Sequence, residues 1–265
     1  MPDLIAVVTT SEKRKGLLLL LQDGPRTWED VKTALDVTAS GMLPQIKILE
    51  DEGLIVKEGR LIKLTDVGEL IANHLDTFDR TLSVIDSQKK FWLEHDIKAL
   101  PQEFFMRLGD IKNPQIIESS LEESFEPHVQ FLEMIIKSRQ VAGISPIVHP
   151  IYPRFFLSMA KEGHKVQLIL TKNAFNKIKR EYYDLLLEGV QFDNAHLSIY
   201  DGDLKFAHIV TENFFSISFF TKNGLFDSHQ DLVSTDPHAI QWGEDLFSYF
   251  SKRSLRVNKE GQYSV

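Results

Sequence analysis

The chain has no cysteine. That excludes disulfides, thiolate zinc sites, iron–sulfur clusters and cysteine nucleophiles, and it fits a reducing compartment. Long apolar runs are also missing: the longest aliphatic stretch, Leu17 to Leu21, falls far short of the ~20 residues of a membrane-spanning helix. The opening Met-Pro-Asp-Leu lacks the basic-then-apolar order of a secretory leader. There is no Gly-rich phosphate loop, no Gly-x-Ser-x-Gly elbow and no His-Glu-x-x-His helix. The nine histidines are scattered without metal-ligand spacing. The expectation is a cytoplasmic protein with no membrane contact, no metal, no cofactor and no enzymatic activity.

Positive charge is scarce too. Lys and Arg number 30 against 38 Asp and Glu, a formal net charge of −8 over 265 residues. Such a chain does not coat itself on nucleic acid, so any DNA contact must come from a local basic patch. Hydrophobic residues make up 43 %, enough for a sizeable core in one large domain or two ordinary ones.

Residues 1–66 read as helix, helix, turn, helix, hairpin. Ser11 caps a helix with the apolar stretch Gly16–Leu21, which Asp23-Gly24-Pro25 stops. Thr27 with Asp30 starts a second helix, whose apolar face is Trp28, Val31, Ala34 and Leu35. After the turn Asp36-Val37-Thr38, a third helix runs to about Glu52, with Leu43, Ile46, Leu49 and Met42 inward. Pro44 belongs in a first turn, which would start this helix near Ser40. Gly53 suits a left-handed cap, and strands Leu54–Lys57 and Arg60–Leu64 follow. This is the order of a winged helix-turn-helix. Its exposed candidates for DNA are Ser40, Gly41, Pro44, Gln45 and Lys47 on the third helix, and Lys57, Arg60 and Lys63 on the wing. The same segment holds nine Lys or Arg against eleven Asp or Glu, which leaves room for a protein-interaction adaptor that touches no DNA.

Residues 67–97 read as a long linker helix. Ile71, Leu75, Phe78, Leu82 and Ile85 recur at spacings of four, three, four and three. That seam suits either a homodimer contact or a helix packing on its own domain. From 98 to 257, strands (Val141–Val148, Val166–Thr171, His196–Tyr200) alternate with helices (Tyr152–Glu162, Lys177–Leu187). A hairpin, Leu204–Val210 with Phe214–Phe220, and a closing helix, Pro237–Leu255, complete it. Residues 258–265 read as a polar tail. The fold class is α+β: a winged helix-turn-helix, a linker helix, and an α/β domain with a mixed sheet covered by helices. Five polar residues near expected strand ends or within the hairpin are candidate small-molecule effector ligands: Ser145, His149, Thr171, His208 and Ser216. Structural roles for these two histidines, and buried water as the partner of Ser216, stand beside that reading.

The stretch Leu35 to Ile55 resembles the helix-turn-helix of archaeal winged-helix regulators, with Leu43-Pro44 in place of the polar-basic pair of the arsenic-repressor pattern. Phe91-Trp92-Leu93-Glu94-His95-Asp96 and Gly143-Ile144-Ser145-Pro146-Ile147-Val148-His149-Pro150 are similar to the methanogenesis regulatory protein family. The resemblance implies an archaeal transcriptional regulator that binds a double-stranded DNA operator; the effector stays open. The reading that follows is a dimer whose geometry a small-molecule effector sets. The last domain also resembles half of a phospholipase D fold around His208, but Val210 and Phe215 stand where its Lys and Asp would be. Without a phosphate-holding Lys and an orienting carboxylate, a phosphodiesterase is disfavoured.

Overall fold

A computed structural model describes residues 3–118 and 129–263. The chain divides into two compact units, Met1–Arg80 and Thr81–Val265. In the first, α1 (Leu4–Thr9), α2 (Glu12–Leu20), β1 (Arg26–Thr27), α3 (Trp28–Leu35), α4 (Ala39–Asp51), β2 (Ile55–Glu58) and β3 (Leu61–Leu64) precede α5 (Asp66–Ser87), which crosses the unit boundary. The strands form an antiparallel sheet, β1-β3-β2. The caps are those the sequence dictates. Ser11 accepts from the Arg14 N–H, Thr27 and Asp30 form a reciprocal capping box, and Asp36 ends α3 in the left-handed region.

Leu17, Leu18, Val31, Met42, Ile46, Leu49, Leu54 and Ile62 fill the core. Met42, Ile46 and Leu49 follow the helical period, which turns Leu43 outward, 50 % exposed, against expectation. Ala34 is likewise exposed. Helix α4 begins at Ala39, so Pro44 lies past the first turn and cannot donate to the Ser40 carbonyl. Helix α1 was not expected; the Arg14 guanidinium holds its end, donating through Nε to Val7 O at 2.5 Å.

The second unit holds α6 (Lys89–Glu94), α7 (Gln102–Phe105), β4 (Gln115–Glu118), α8 (Val129–Ile136), β5 (Gln140–Ser145) and α9 (Tyr152–Lys161). After these come β6 (Lys165–Thr171), α10 (Lys172–Glu181), α11 (Tyr183–Gly189), β7 (Ala195–Tyr200), β8 (Phe206–Thr211), β9 (Phe215–Phe219), β10 (Gln230–Ser234), α12 (Pro237–Ser251) and β11 (Ser254–Arg256). Its sheet runs β11-β7-β6-β5-β8-β9-β10-β4. Strands β5, β6 and β7 are parallel and the other pairs antiparallel, so the sheet is mixed. One face presents Ile144, Ile169, Phe206, Phe215, Ile217 and Phe219 to Phe91, Trp92, Phe104 and the α12 residues Trp242, Leu246 and Phe250. The other presents Val141, Val166, Phe214 and Val233 to Phe131, Phe156 and Met159.

Several boundaries differ from the sequence expectation. The long helix breaks at Gln88, because the α6 aromatics turn into the second core, where Trp92 Nε1 donates to Val84 O at 3.0 Å. The helix expected over 177–187 is two helices that meet at Tyr182. The closing helix stops at Ser251, and Leu255 sits in β11 opposite Ile199. Strands β4 and β10 were not foreseen. The tail is not simply polar: Gly261 is buried, and the Tyr263 ring lies 5.5 Å from Phe175. Its last two residues lie outside the described residues. No helix among the described residues is long and apolar enough to cross a membrane.

Candidate nucleic-acid interface and effector cavity

Helix α4 exposes Ser40, Pro44 and Lys47, with Gly41 and Gln45 partly covered. Gln45 is held from behind: its Oε1 accepts from Arg14 Nη1 at 2.6 Å, which leaves the amide NH₂ as its outward donor. A side chain at Gly41 would collide with Lys13, whose Nζ lies 2.6 Å from the position of a Cβ. Lys13 and Arg14 thus add cationic groups beside α4 that the motif reading missed. On the hairpin, Lys57 pairs with Glu50 at 3.0 Å and Lys63 with Glu58 at 2.5 Å. Arg60 is exposed and has no ion-pair partner among the described residues. Gly59, at φ 62, makes the two-residue turn that puts Arg60 at the tip. The basic wing is therefore one cation and two acid-paired lysines.

The seam residues of α5 do three different things. Ile71 and Leu75 (7 % exposed) pack in the first core, and Ile85 packs against the second. Phe78 and Leu82 are 55 % and 50 % exposed, and Val67 and Leu70 are exposed near the helix start. Five residues of one apolar period are not one surface, because two folding units draw on the same helix.

Between the sheet and α9 lies a cavity of about 230 Å³. Small residues form part of its floor: Gly143 and Ser145 on β5, Ala207 on β8, Ser216 and Ser218 on β9. Leu168, Leu197, Phe156 and Leu157 form apolar walls, and His149, Tyr152 and Asp231 add polar groups. Asp231 stands opposite Ser218 in the β9–β10 register and accepts a hydrogen bond from its hydroxyl. Burial raises the Tyr152 pKa, and the Asp231 carboxylate adds to the rise, so the phenol stays a neutral donor.

Of the five expected effector residues, Ser145, His149 and Ser216 line this cavity with His208, and Thr171 does not. Thr171 caps α10, accepting from Ala174 N at 3.3 Å. Ser145 Oγ donates to Ile147 O at 2.8 Å and accepts from Ile147 N, so it shapes the strand-end turn. His208 alternates away from Ala207 and Ile209: its ring meets Phe215 and Gly243 on the α12 face, leaving its backbone on the cavity side. Buried at 2 % exposure with no hydrogen bond on either ring nitrogen, it is held neutral. Desolvation lowers its pKa to about 3, only partly offset by a polar contact with the Gly243 backbone.

A further link went unread in the sequence. Phe226 and Ser228 line the cavity, and between them Asp227 Oδ2 accepts from the buried His95 Nε2 at 3.2 Å, whose Nδ1 lies 2.8 Å from Phe91 O. The Asp96 N–H donates to Phe220 O at 2.9 Å. The end of α6 is thereby tied to one rim of the cavity.

Residues 2–85 match the family model "Methanogenesis regulatory protein FilR1, N-terminal domain", and residues 124–253 match its "middle domain". The methanogenesis regulatory protein FilR1 of Methanothrix harundinacea (strain 6Ac) is 23 % identical over 259 residues, 96 % of this chain and 58 % of that protein. The chain thus spans little more than half the length of that relative. Among solved structures, TrmBL2, an archaeal chromatin protein described as showing a novel mode of DNA binding, aligns at a TM-score of 0.43 and 10 % identity, covering 92 % of this chain and 94 % of that one. The dimethyltransferase RosA of Streptomyces davawensis aligns at 0.24 and 13 % identity, over 74 % and 77 %. The matched family models give no support to a phospholipase D half.

Proposed function

Because the chain belongs to the methanogenesis regulatory protein FilR1 family, whose two domain models together match most of it, we propose that it is a dimeric, DNA-binding transcriptional regulator with a small-molecule effector site in its second unit. The observation that carries the DNA part is α4 with Ser40 and Lys47 exposed and Gln45 half-covered, followed in the chain by a hairpin whose tip carries Arg60, exposed and without an ion-pair partner among the described residues. A recognition helix reads base edges with its N-terminal residues, and a wing meets phosphates. Acting inside the cell, the protein would bind double-stranded DNA as a homodimer. Its effector would occupy the cavity over Ser216 and Ser218 and bias the spacing of the two heads. The regulatory family and the buried, unassisted His208 favour this over turnover of a phosphodiester.

Fluorescence anisotropy on the region upstream of its own gene tests the DNA reading. Arg60→Ala should weaken specific and random DNA alike and reduce the salt slope by about one. Gln45→Ala should cost about 1–3 kcal/mol at a single base position and leave random DNA unaffected. Binding indifferent to both changes would overturn the assignment.

Dimerisation rests on Phe78 and Leu82, since Leu75 already serves the first core. The double change Phe78→Asp and Leu82→Asp should convert dimer to monomer in analytical ultracentrifugation, with the melting curve preserved because both side chains are half exposed. Charges placed in a closed apolar seam lose solvation. A dimer that survives at low micromolar concentration removes α5 from the interface.

A further inference from the structure

The base that Gln45 would meet follows from the residue behind it. Arg14 lies in the first turn of α2 and closes its fork on the end of α1, where the last helical carbonyls lack intrahelical partners. Its Nε donates to Val7 O at 2.5 Å, and its Nη2 to Thr10 Oγ1 at 3.2 Å and Ala6 O at 3.4 Å. The remaining nitrogen, Nη1, donates to Gln45 Oε1 at 2.6 Å. A guanidinium is a rigid planar fork, so the contacts on α1 fix the direction of the one to Gln45.

That contact decides which way round the amide sits. Gln carries an acceptor and a donor on one flat group, and a free Gln can turn either end outward. Arg has donors only, so the atom facing Nη1 must be the oxygen. The NH₂ is then the end left for a partner. The surroundings are of one sign. Lys13 Nζ lies against Gly41, one turn before Gln45 on α4. Neither Lys13 nor Arg14 has an ion-pair partner among the described residues.

This arrangement discriminates between bases. A Gln reads adenine by accepting from N6 with its oxygen while donating to N7. Here the N6 hydrogens would approach an oxygen that already serves Arg14, with the positive guanidinium beside it. Guanine presents two acceptors, N7 and O6, on the same edge. It can accept from the amide NH₂, and its edge carries the sign that the two cations attract. A side chain held in place before binding also loses less rotamer freedom than a free one.

Resting on the reading of α4 as the recognition helix, we propose that Arg14 is a positioning residue that makes Gln45 a donor-only reader of guanine.

The test selects sites from a randomised duplex DNA library with the full chain and sequences what is retained. Gln45→Ala identifies the position concerned, as the one whose preference disappears. In the unmodified chain that position should be guanine, favoured about ten-fold over adenine. Gln45→Glu keeps the bond from Arg14 and turns the outward donor into an acceptor, so the same position should change to cytosine, whose N4 donates. Arg14→Met frees the amide to turn, and adenine should rise there to the level of guanine. A residue that merely supplied charge or held α1 would, on removal, weaken binding and leave the base ranking as it was. Adenine at the Gln45 position of the unmodified chain, or guanine retained in either variant, overturns the role of Arg14 and leaves the DNA reading standing. Should Arg14→Met fail to fold, Gln45→Glu decides by itself. If the library yields no enriched site, or no position responds to Gln45→Ala, the DNA reading falls and this inference with it.

Discussion

Gly68→Ala should unfold the N-terminal unit, at a cost of about 3 kcal/mol or more. A Cβ at this position would lie 1.8 Å from the Leu54 carbonyl oxygen and 2.8 Å from its carbon. That backbone has no room to yield. Leu54 N donates to Leu49 O at 2.9 Å, Leu54 O accepts from Thr65 N at 3.1 Å, and Thr65 Oγ1 donates to Gly53 O at 2.6 Å. The Leu54 side chain is itself in the core. Propensity predicts the opposite sign, because Ala is a better helix former than Gly by about 1 kcal/mol; the steric term is larger and decides. Gly189→Ala in α11 is the control, since its Cβ would meet only Leu157 at 3.9 Å. Thermal melts by circular dichroism should show the first variant far below the unmodified chain and the second at or above it. A Gly68→Ala melt at the unmodified temperature would mean that α5 does not sit on Leu54 this closely.

The second large effect is acid sensitivity through His208. Its folded pKa of about 3 lies below the ordinary value of 6.5, so the unfolded state takes the proton first. Its contribution is complete above 6.5 and is lost as pH falls toward 3, at about 1.4 kcal/mol per pH unit. His208→Leu removes the titration and leaves no buried donor or acceptor behind at that position. Denaturant melts of the two proteins should diverge by roughly 3 kcal/mol between pH 7 and pH 4, the variant losing less. Superimposable acid limbs would show that His208 is hydrated or partnered in solution.

The first unit was legible in the sequence because its contacts are local: caps at Ser11 and Thr27, glycines at 53 and 59, and strands joined by a two-residue turn. The error on Leu43 came from choosing a face one residue out of step with Ile46 and Leu49. In the second unit, the three parallel strands were each legible from their aliphatic residues, although the first ends at Ser145, three residues short of the expected Val148. Strands β4 and β10 are short and carry few apolar residues; what makes them strands is each other, far apart in sequence. Asp231 was invisible for that reason, and Tyr152 because it opens a helix. The displacement of His208 was available from the strand period that separated Phe215 from Ser216. Register pairs His208 with Ile217, on the face away from Ser216. Thr171 was misread because α10 starts at Lys172, five residues before the helix expected there.

The pairing of β4 with β10 also sets a timetable for synthesis. Glu118 and Gln230 are partners separated by about 110 residues, and a ribosome adding 5–20 residues per second needs roughly ten seconds to span them. The first unit, with its core and hairpin complete by Arg80, can close while the rest of the chain is still being made. Strand β4, with Ile116 and Ile117, emerges early and waits for an edge that does not yet exist. Strand β9, buried at every position, can pair with β8 at once but gains its outer neighbour only when β10 arrives. A chain released before residue 230 would thus carry an open edge on a strand whose five positions are all meant to be buried, the kind that pairs with other molecules.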